Sequence, residues 1–227
     1  NRVEEAQIRQ HRFVSDASHE LRSPLSSLRT TLEVAQPDGT SAEQAESIES
    51  ALNDIRRMEE LTSDLLMDAG LQSGGAHRIE LVDLDDLVFE EVERLRLTGG
   101  PAIDTTGVSS AQISVDRGYM RRAIRNLLEN AHRYAEHSVH VQLREDGEDA
   151  SFIVSDDGPG IPREKAEAVF ERFTRLDEAR DRAGGGAGLG LAIARAIAEG
   201  HGGRVYVDID YRDGAQLILE MPIGRKV

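Results

Sequence analysis

The residues best able to do chemistry lie in Ser18-His19-Glu20-Leu21-Arg22-Ser23-Pro24-Leu25, where a histidine sits on the polar side of a helical pattern. An imidazole of ordinary pKa, ~6.5, is mostly neutral near pH 7 and is then a good nucleophile. Glu20 follows it and can orient the ring or take its proton. Pro24 lacks an amide hydrogen and clashes with the carbonyl of Glu20, so the helix is expected to bend just after His19 and expose it. Taken alone, such a histidine reads as a solvated side chain, and the rest of the chain must decide.

Three downstream stretches supply what a nucleophile would act on. The helical pattern from Asp116 to Tyr134 has an apolar stripe of Met120, Ile124, Leu127, Leu128 and Ala131. A second stripe carries Asn126, Asn130, Arg133 and Tyr134 at spacings of three and four. Amide oxygens suit a hard cation such as Mg²⁺ that shares substrate phosphates, although a solvated polar face would look the same. Next, Val154-Ser155-Asp156-Asp157-Gly158-Pro159-Gly160-Ile161-Pro162 ends a strand in an acidic turn. There the Asp156 carboxylate can accept from an exocyclic amine such as that of adenine, and glycine lets the backbone approach the ring. Third, Gly184 to Ile193 runs from a glycine tract straight into a helix, whose free N-terminal amides bind phosphate. Between the last two lie Phe170-Glu171-Arg172-Phe173-Thr174-Arg175, Arg180 and Arg182, the makings of a nucleotide lid.

These groups need a scaffold, and the hydrophobic periods divide it in two. Phe13, Ala17, Leu21, Leu25, Leu28, Leu32 and Ala35 keep one helix face apolar, Pro37 and Gly39 break it, and Ala45 to Leu65 repeat the pattern. Such a hairpin has too little interior to stand alone, so pairing of two copies as a four-helix bundle is expected, which predicts a homodimer. The expected division is a helical hairpin over residues 1–72, a Ser-Gly-Gly-Ala linker within 73–77, and a second domain over 78–227. In that domain strands are expected at 79–81, 102–104, 112–115, 139–143, 151–155, 204–208 and 215–221, with helices at 83–97, 116–134, 163–170 and 189–199. Strands that cluster instead of alternating strictly with helices predict an α+β sandwich. His137 and His140, three apart in a strand, point to opposite faces and read as surface residues, not as a metal site.

Composition narrows the class. A formal net charge of −15 over 227 residues, with both parts acidic and no segregated basic patch, argues against nucleic acid and against a membrane surface. The absence of cysteine removes disulfides, thiolate catalysis and cysteine metal sites. No secretory signal and no apolar run of membrane-spanning length occurs. Asn1-Arg2-Val3-Glu4-Glu5 reads as the middle of a helix, which predicts a piece of a longer protein whose upstream part spans a membrane.

In this order the stretches resemble the sensor histidine kinases of bacterial two-component systems. SHELRSPL resembles the phosphoacceptor box, NLLENAHRY at 126–134 the asparagine box, and DDGPG at 156–160 the first glycine box. FERF at 170–173 resembles the phenylalanine box, and GAGLGL at 186–191 the second glycine box. The resemblance implies a two-helix dimerisation and phosphotransfer domain joined to an ATP-binding domain of the gyrase, chaperone and histidine-kinase fold. It implies that His19 accepts the γ-phosphoryl group, Glu20 assists as acid or base, Asn130 holds Mg²⁺, Asp156 reads adenine and Tyr134 lines the pocket. Phosphates would meet Asn126, Arg133 and the amides of Gly186, Gly188, Leu189 and Gly190. Gly158, Gly160, Ile161 and Leu191 would complete the nucleotide site, with Phe170, Arg172 and Phe173 at the base of the lid.

The implied partners are a second copy of the chain and the receiver domain of a response regulator, whose aspartate takes the phosphoryl group. Nucleic acid and direct membrane contact are not expected, and the stretch would be the cytoplasmic portion of a membrane sensor. Arg133 stands where a lysine is usual, offering a fork in place of a point charge. Ser23 replaces the usual threonine or asparagine at a position linked in the family to phosphatase activity, which the resemblance therefore leaves open. Two other readings compete: a chaperone-type or repair-type ATPase that hydrolyses ATP without labelling itself, and an inactive dimeric scaffold.

Overall fold

The computed structural model describes residues 78–174 and 188–223, together with Leu25, Leu28, Ile48, Ala51, Leu52, Ile55, Met58 and Thr62. The chain divides into two compact units, Asn1–Ala69 and Gly70–Val227. In the first, each of those isolated residues is helical. Thr62 Oγ1 donates to the Met58 carbonyl at 2.7 Å, the bond a helical threonine makes one turn back. Ala51 is buried, whereas Ile48, Leu52 and Ile55, at steps of four and three, stay exposed, as does Leu25. An apolar helix face left open in this way needs another surface to cover it.

The second unit is built from seven strands and three helices among the described residues: β1 (Ile79–Asp83), α1 (Leu84–Arg96), β2 (Ala102–Val108), β3 (Gln112–Asp116), α2 (Arg117–Tyr134), β4 (Ser138–Asp146), β5 (Asp149–Asp156), α3 (Gly190–Gly200), β6 (Arg204–Val207) and β7 (Gln216–Pro222). β1 and β3 form a two-stranded ladder, and the remaining strands form a sheet in the order β2-β4-β5-β7-β6. β2 runs parallel to β4 and every other pair is antiparallel. β5 is the centre: its residues from Ala150 to Asp156 are all buried. Register explains how. Leu143, Phe152 and Leu219 lie side by side, as do Val141, Val154 and Leu217, and all six are buried, while Ser151 and Ser155 alternate onto the opposite face beside Glu220 and Gln216. The result is the α+β sandwich expected, with helices packed on a mostly antiparallel sheet.

The helices follow their apolar stripes. α1 buries Leu84, Leu87, Val88, Val92 and Leu95, and α2 buries Met120, Ile124, Leu127, Leu128 and Ala131. Asp116 caps α2, its Oδ1 accepting from the amides of Gly118 and Tyr119 at 3.0 and 3.2 Å. α3 ends in a Schellman arrangement: Gly203 N–H reaches Ala198 O at 2.8 Å and Gly202 N–H reaches Glu199 O at 3.1 Å, with Gly202 at φ +80°. Residues 163–170 differ from the helix expected. They form two 3₁₀ turns, Arg163–Lys165 and Ala168–Phe170. Their amides close onto carbonyls three residues back, from Pro162 and Glu167, and the short segment offers only Val169 and Phe170 to the core, too little for an α-helical face.

Candidate nucleotide-binding site

Asp156 terminates the most buried strand of the sheet and is itself 2% exposed. Its N–H donates to Ala215 O at 2.9 Å, while its Oδ1 accepts from Gly158 N at 2.9 Å and Ala215 N at 3.3 Å. Burial pushes the Asp156 carboxyl up; the two amides draw it back by less, and the neighbouring Asp157 charge adds to the rise. Glycine is required around it by space. A Cβ on Gly158 would stand 2.1 Å from the Tyr134 carbonyl oxygen, and one on Gly214, at φ +141°, 1.9 Å from the Asp156 carbonyl oxygen. The turn after β5 is thus wedged between the end of α2 and the segment entering β7.

α2 brings the amides. Asn126 is 5% exposed, and among the described residues its Nδ2 has no hydrogen-bond partner. Its Cγ lies 3.5 Å from where a Cβ of Gly190 would be, so the carboxamide rests on the first residue of α3. That helix starts without a side-chain cap, and the amides of a helix's first turn point outward along its axis with no partner inside the helix. Asn130, one turn further along α2, is half-buried, and Arg133 and Tyr134 at its end are exposed. An orphaned buried amide against an uncapped helix N-terminus is an arrangement that an anionic ligand completes.

The roll of α2 is fixed from behind by charge. Glu91 on α1 is 3% exposed. Its two oxygens take Arg125 Nε and an Arg125 terminal nitrogen, each at 2.8 Å, and Oε2 also takes Arg94 Nε at 2.8 Å. Arg94 reaches on to Glu129 at 2.5 Å. Arg125 and Glu129 immediately precede Asn126 and Asn130.

The flank of the site is pinned by Phe173, which holds φ +61°. Its N–H donates to Gly188 O at 2.8 Å, and a Cβ on Gly188 would lie 2.9 Å from Phe173 Cα. Phe170 is buried beneath the Arg195 guanidinium, 4.3 Å from its ring centroid. Arg172 is exposed, Ile161 is half-buried, and Leu189 is buried just before α3 with Leu191 half-buried inside it.

The structure therefore joins Asn126 to Gly190, Tyr134 to Gly158, Phe173 to Gly188, and Asp156 to its turn. His19, Glu20, Ser23 and Gly186 lie outside the described residues. His137 and His140 are exposed, 3.5 Å from Asp157 and 3.3 Å from Asp104 respectively. Sequence reasoning missed Ala215 as a donor to Asp156, the Glu91–Arg125 pair and the partners of Asp157, all contacts between residues far apart in the chain. Among the described residues no helix is long and apolar enough to cross a membrane, and no three His, Asp or Glu gather as a metal-holding group.

Residues 115–225 match the family described as "Histidine kinase-, DNA gyrase B-, and HSP90-like ATPase". Fold and site together make the second unit an ATP-binding sandwich of that class. Residues 9–74 match the "His Kinase A (phospho-acceptor) domain". The chain is 36% identical over 213 residues to the signal transduction histidine-protein kinase/phosphatase MprB of Mycobacterium avium (strain 104), covering 90% of this chain and 40% of that protein. It is 34% identical over 227 residues to the sensor protein RstB of Escherichia coli (strain K12), covering 95% of this chain and 49% of that one. Among solved structures, a mycobacterial sensor histidine kinase MprB aligns with a TM-score of 0.56 at 31% identity over 63% of this chain and 97% of its own. The Acinetobacter baumannii histidine kinase AdeS shares the fold, with a TM-score of 0.70 at 22% identity over 91% and 98%. The chain belongs to the sensor histidine kinases of bacterial two-component systems. It spans less than half the length of the MprB and RstB relatives.

Proposed function

We propose that this chain is the phosphoacceptor and catalytic portion of an ATP-dependent histidine autokinase. One juxtaposition carries the reading: the unpartnered Asn126 amide against the uncapped start of α3, in a chain that also holds a phospho-acceptor segment. Asp156 would take the adenine amine on Oδ2, since both amides that it accepts from fall on Oδ1. Asn126, Arg133 and the first amides of α3 would hold the phosphates, with Tyr134 lining the base pocket. Asn130 fits Mg²⁺, because its half-open carboxamide offers a hard oxygen to a cation that arrives with the nucleotide, and Mg²⁺ would neutralise charge on the phosphates.

His19 would attack the γ-phosphorus as the neutral imidazole, the β–γ phosphoanhydride bond breaking as ADP leaves and Glu20 taking or returning the ring proton, and an aspartate of a response regulator would then take the phosphoryl group as the nitrogen–phosphorus bond breaks and frees the imidazole. Catalysis of this kind is mostly positioning and charge neutralisation. The open Ile48, Leu52 and Ile55 face supports a homodimer through the hairpin of residues 1–72, with 73–77 as linker and 78–227 as the ATP-binding domain. Phosphatase activity at Ser23 belongs to the same proposal, because the mycobacterial relatives carry it in their name. So does placement as the cytoplasmic portion of a membrane sensor. The test is incubation with γ-labelled ATP and Mg²⁺, for this chain and for His19→Gln. Acid-labile label that disappears in the variant is the expected result, and label that persists there sinks the assignment of the nucleophile.

A further inference from the structure

Asp157 stands beside the adenine-reading carboxylate and does a different job. Its Oδ1 accepts from the amides of Glu136, His137 and Ser138 at 2.8, 3.0 and 3.2 Å. Its Oδ2 accepts from His137 N and Ser138 N, both at 3.1 Å, and from Ser138 Oγ at 3.3 Å. Three successive amides converging on one carboxylate form the cradle usually seen around a bound anion, and here the chain supplies its own anion. The His137 amide first, helped by those of Ser138 and Glu136, outweighs desolvation and holds the Asp157 carboxyl below the usual carboxylate range. With both oxygens engaged, this side chain is poorly placed to take a ligand itself.

What it holds matters for the site. The segment from Ala135 to His137 is all that separates α2 from β4. It leaves Tyr134, whose carbonyl oxygen already presses on Gly158, and enters β4, where Val139 pairs with Asp156. We infer that Asp157 is a positioning residue of the nucleotide site: it clamps the exit of α2 to the end of β5 and so fixes the gap between Tyr134 and Asp156 in which the base would lie. This rests on the nucleotide reading above. The amides of Glu136 and His137 belong to exposed residues, so water replaces the carboxylate when it is removed. The fold then persists while the spacing of the pocket relaxes, and a small misplacement of binding groups is enough to weaken a site strongly.

The experiment uses the whole chain as wild type, Asp157→Asn and Asp157→Ala, with three readouts: amide hydrogen exchange over residues 134–139 without nucleotide, titration with a fluorescent ATP analogue in Mg²⁺, and autophosphorylation against ATP concentration. Asparagine keeps an acceptor oxygen where the three amides converge; alanine keeps none. Exchange is expected to accelerate in the alanine variant and to stay near wild type in the asparagine variant. Nucleotide affinity should fall about tenfold in alanine and less in asparagine, with KM for ATP rising in parallel and kcat little changed. Unchanged exchange in Asp157→Ala overturns the clamp whatever ATP does. Faster exchange with unaltered affinity overturns the positioning role, and so does an equal loss of kcat, affinity and thermal midpoint in both variants. A wild-type chain that shows the slow exchange but binds no ATP analogue overturns the nucleotide reading, and the positioning role with it.

Discussion

Glu91 and Asp156 are hidden from water to almost the same degree, 3% and 2% exposed, and their surroundings drive them in opposite directions. Burial alone would raise the Glu91 carboxyl, but the hydrogen bonds and charges of Arg125 and Arg94 outweigh it and hold the group low. Asp156 meets the same desolvation with two backbone amides and a neighbouring negative charge, and it ends high. Depth alone does not set the direction in which a carboxyl is driven. The supply of partners does: the first is fully answered by the chain, and the second is left short of a cation or donor. The same contrast separates the two faces of α2, whose Arg125 is locked to Glu91 while Asn126, the next residue, has an amide nitrogen with no partner among the described residues.

The largest effect expected from this contrast is at Glu91. Glu91→Gln takes from Arg125 the carboxylate that grips it twice and from Arg94 one of its two, Glu129 remaining, and should cost about 3 kcal/mol of stability at neutral pH, read from denaturant unfolding of the chain. Because the folded carboxyl is depressed, its contribution is present above the unfolded value of ~4.3 and is lost as pH falls through the lower folded value, so the gap to wild type should close in acid. A smaller effect of opposite sign is expected at Asp156. Its folded carboxyl is raised, so the favourable contribution exists below the unfolded value of ~3.9 and is lost as pH rises through the folded one. Asp156→Asn should therefore raise the thermal midpoint of the nucleotide-free chain above about pH 4 while ATP binding collapses. A variant that loses both stability and binding would break the comparison. The smallest effect belongs to Arg204, 72% exposed, which pairs with Glu220 and covers the Tyr206 ring. Tyr206 also donates to Glu220, so Arg204→Ala should move the midpoint by no more than about 2–4 °C. A shift as large as that of Glu91→Gln would mean that ion pairs here are not ranked by burial.

Much of the fold could be read from periods in the chain. The apolar stripe of α2 was legible except at the fully buried Ala123, and so was the fact that Asn126 does not belong to it, although the burial of Asn126 depends on α3 arriving from 64 positions away, at Gly190. β2 runs to Val108, past the Asp-Thr-Thr-Gly stretch that looks like its end. The strand survives because Asp104 Oδ1 accepts from Thr106 N at 2.9 Å across a bulge, after which Gly107 resumes pairing with Gln142. The close backbone approaches at Gly158 and Gly188 and the polar stripe that carries Asn126 and Asn130 were legible because they are local signatures of turns and helix faces. Ala215 on Asp156, Arg125 on Glu91 and Ser138 on Asp157 were not, since nothing local in Ala, Arg or Ser announces a partner twenty to sixty residues distant.

The bond from Phe173 to Gly188 has a consequence for how such chains diversify. Two points fifteen positions apart in sequence are fastened together in space, so the ends of the interval between them are held at a fixed separation. Doubling the length of a closed loop adds only about 0.6 kcal/mol of closure entropy. A change of length between the two fasteners therefore costs the bond at its ends little. A chain longer or shorter between these two positions could keep the same bond at their ends.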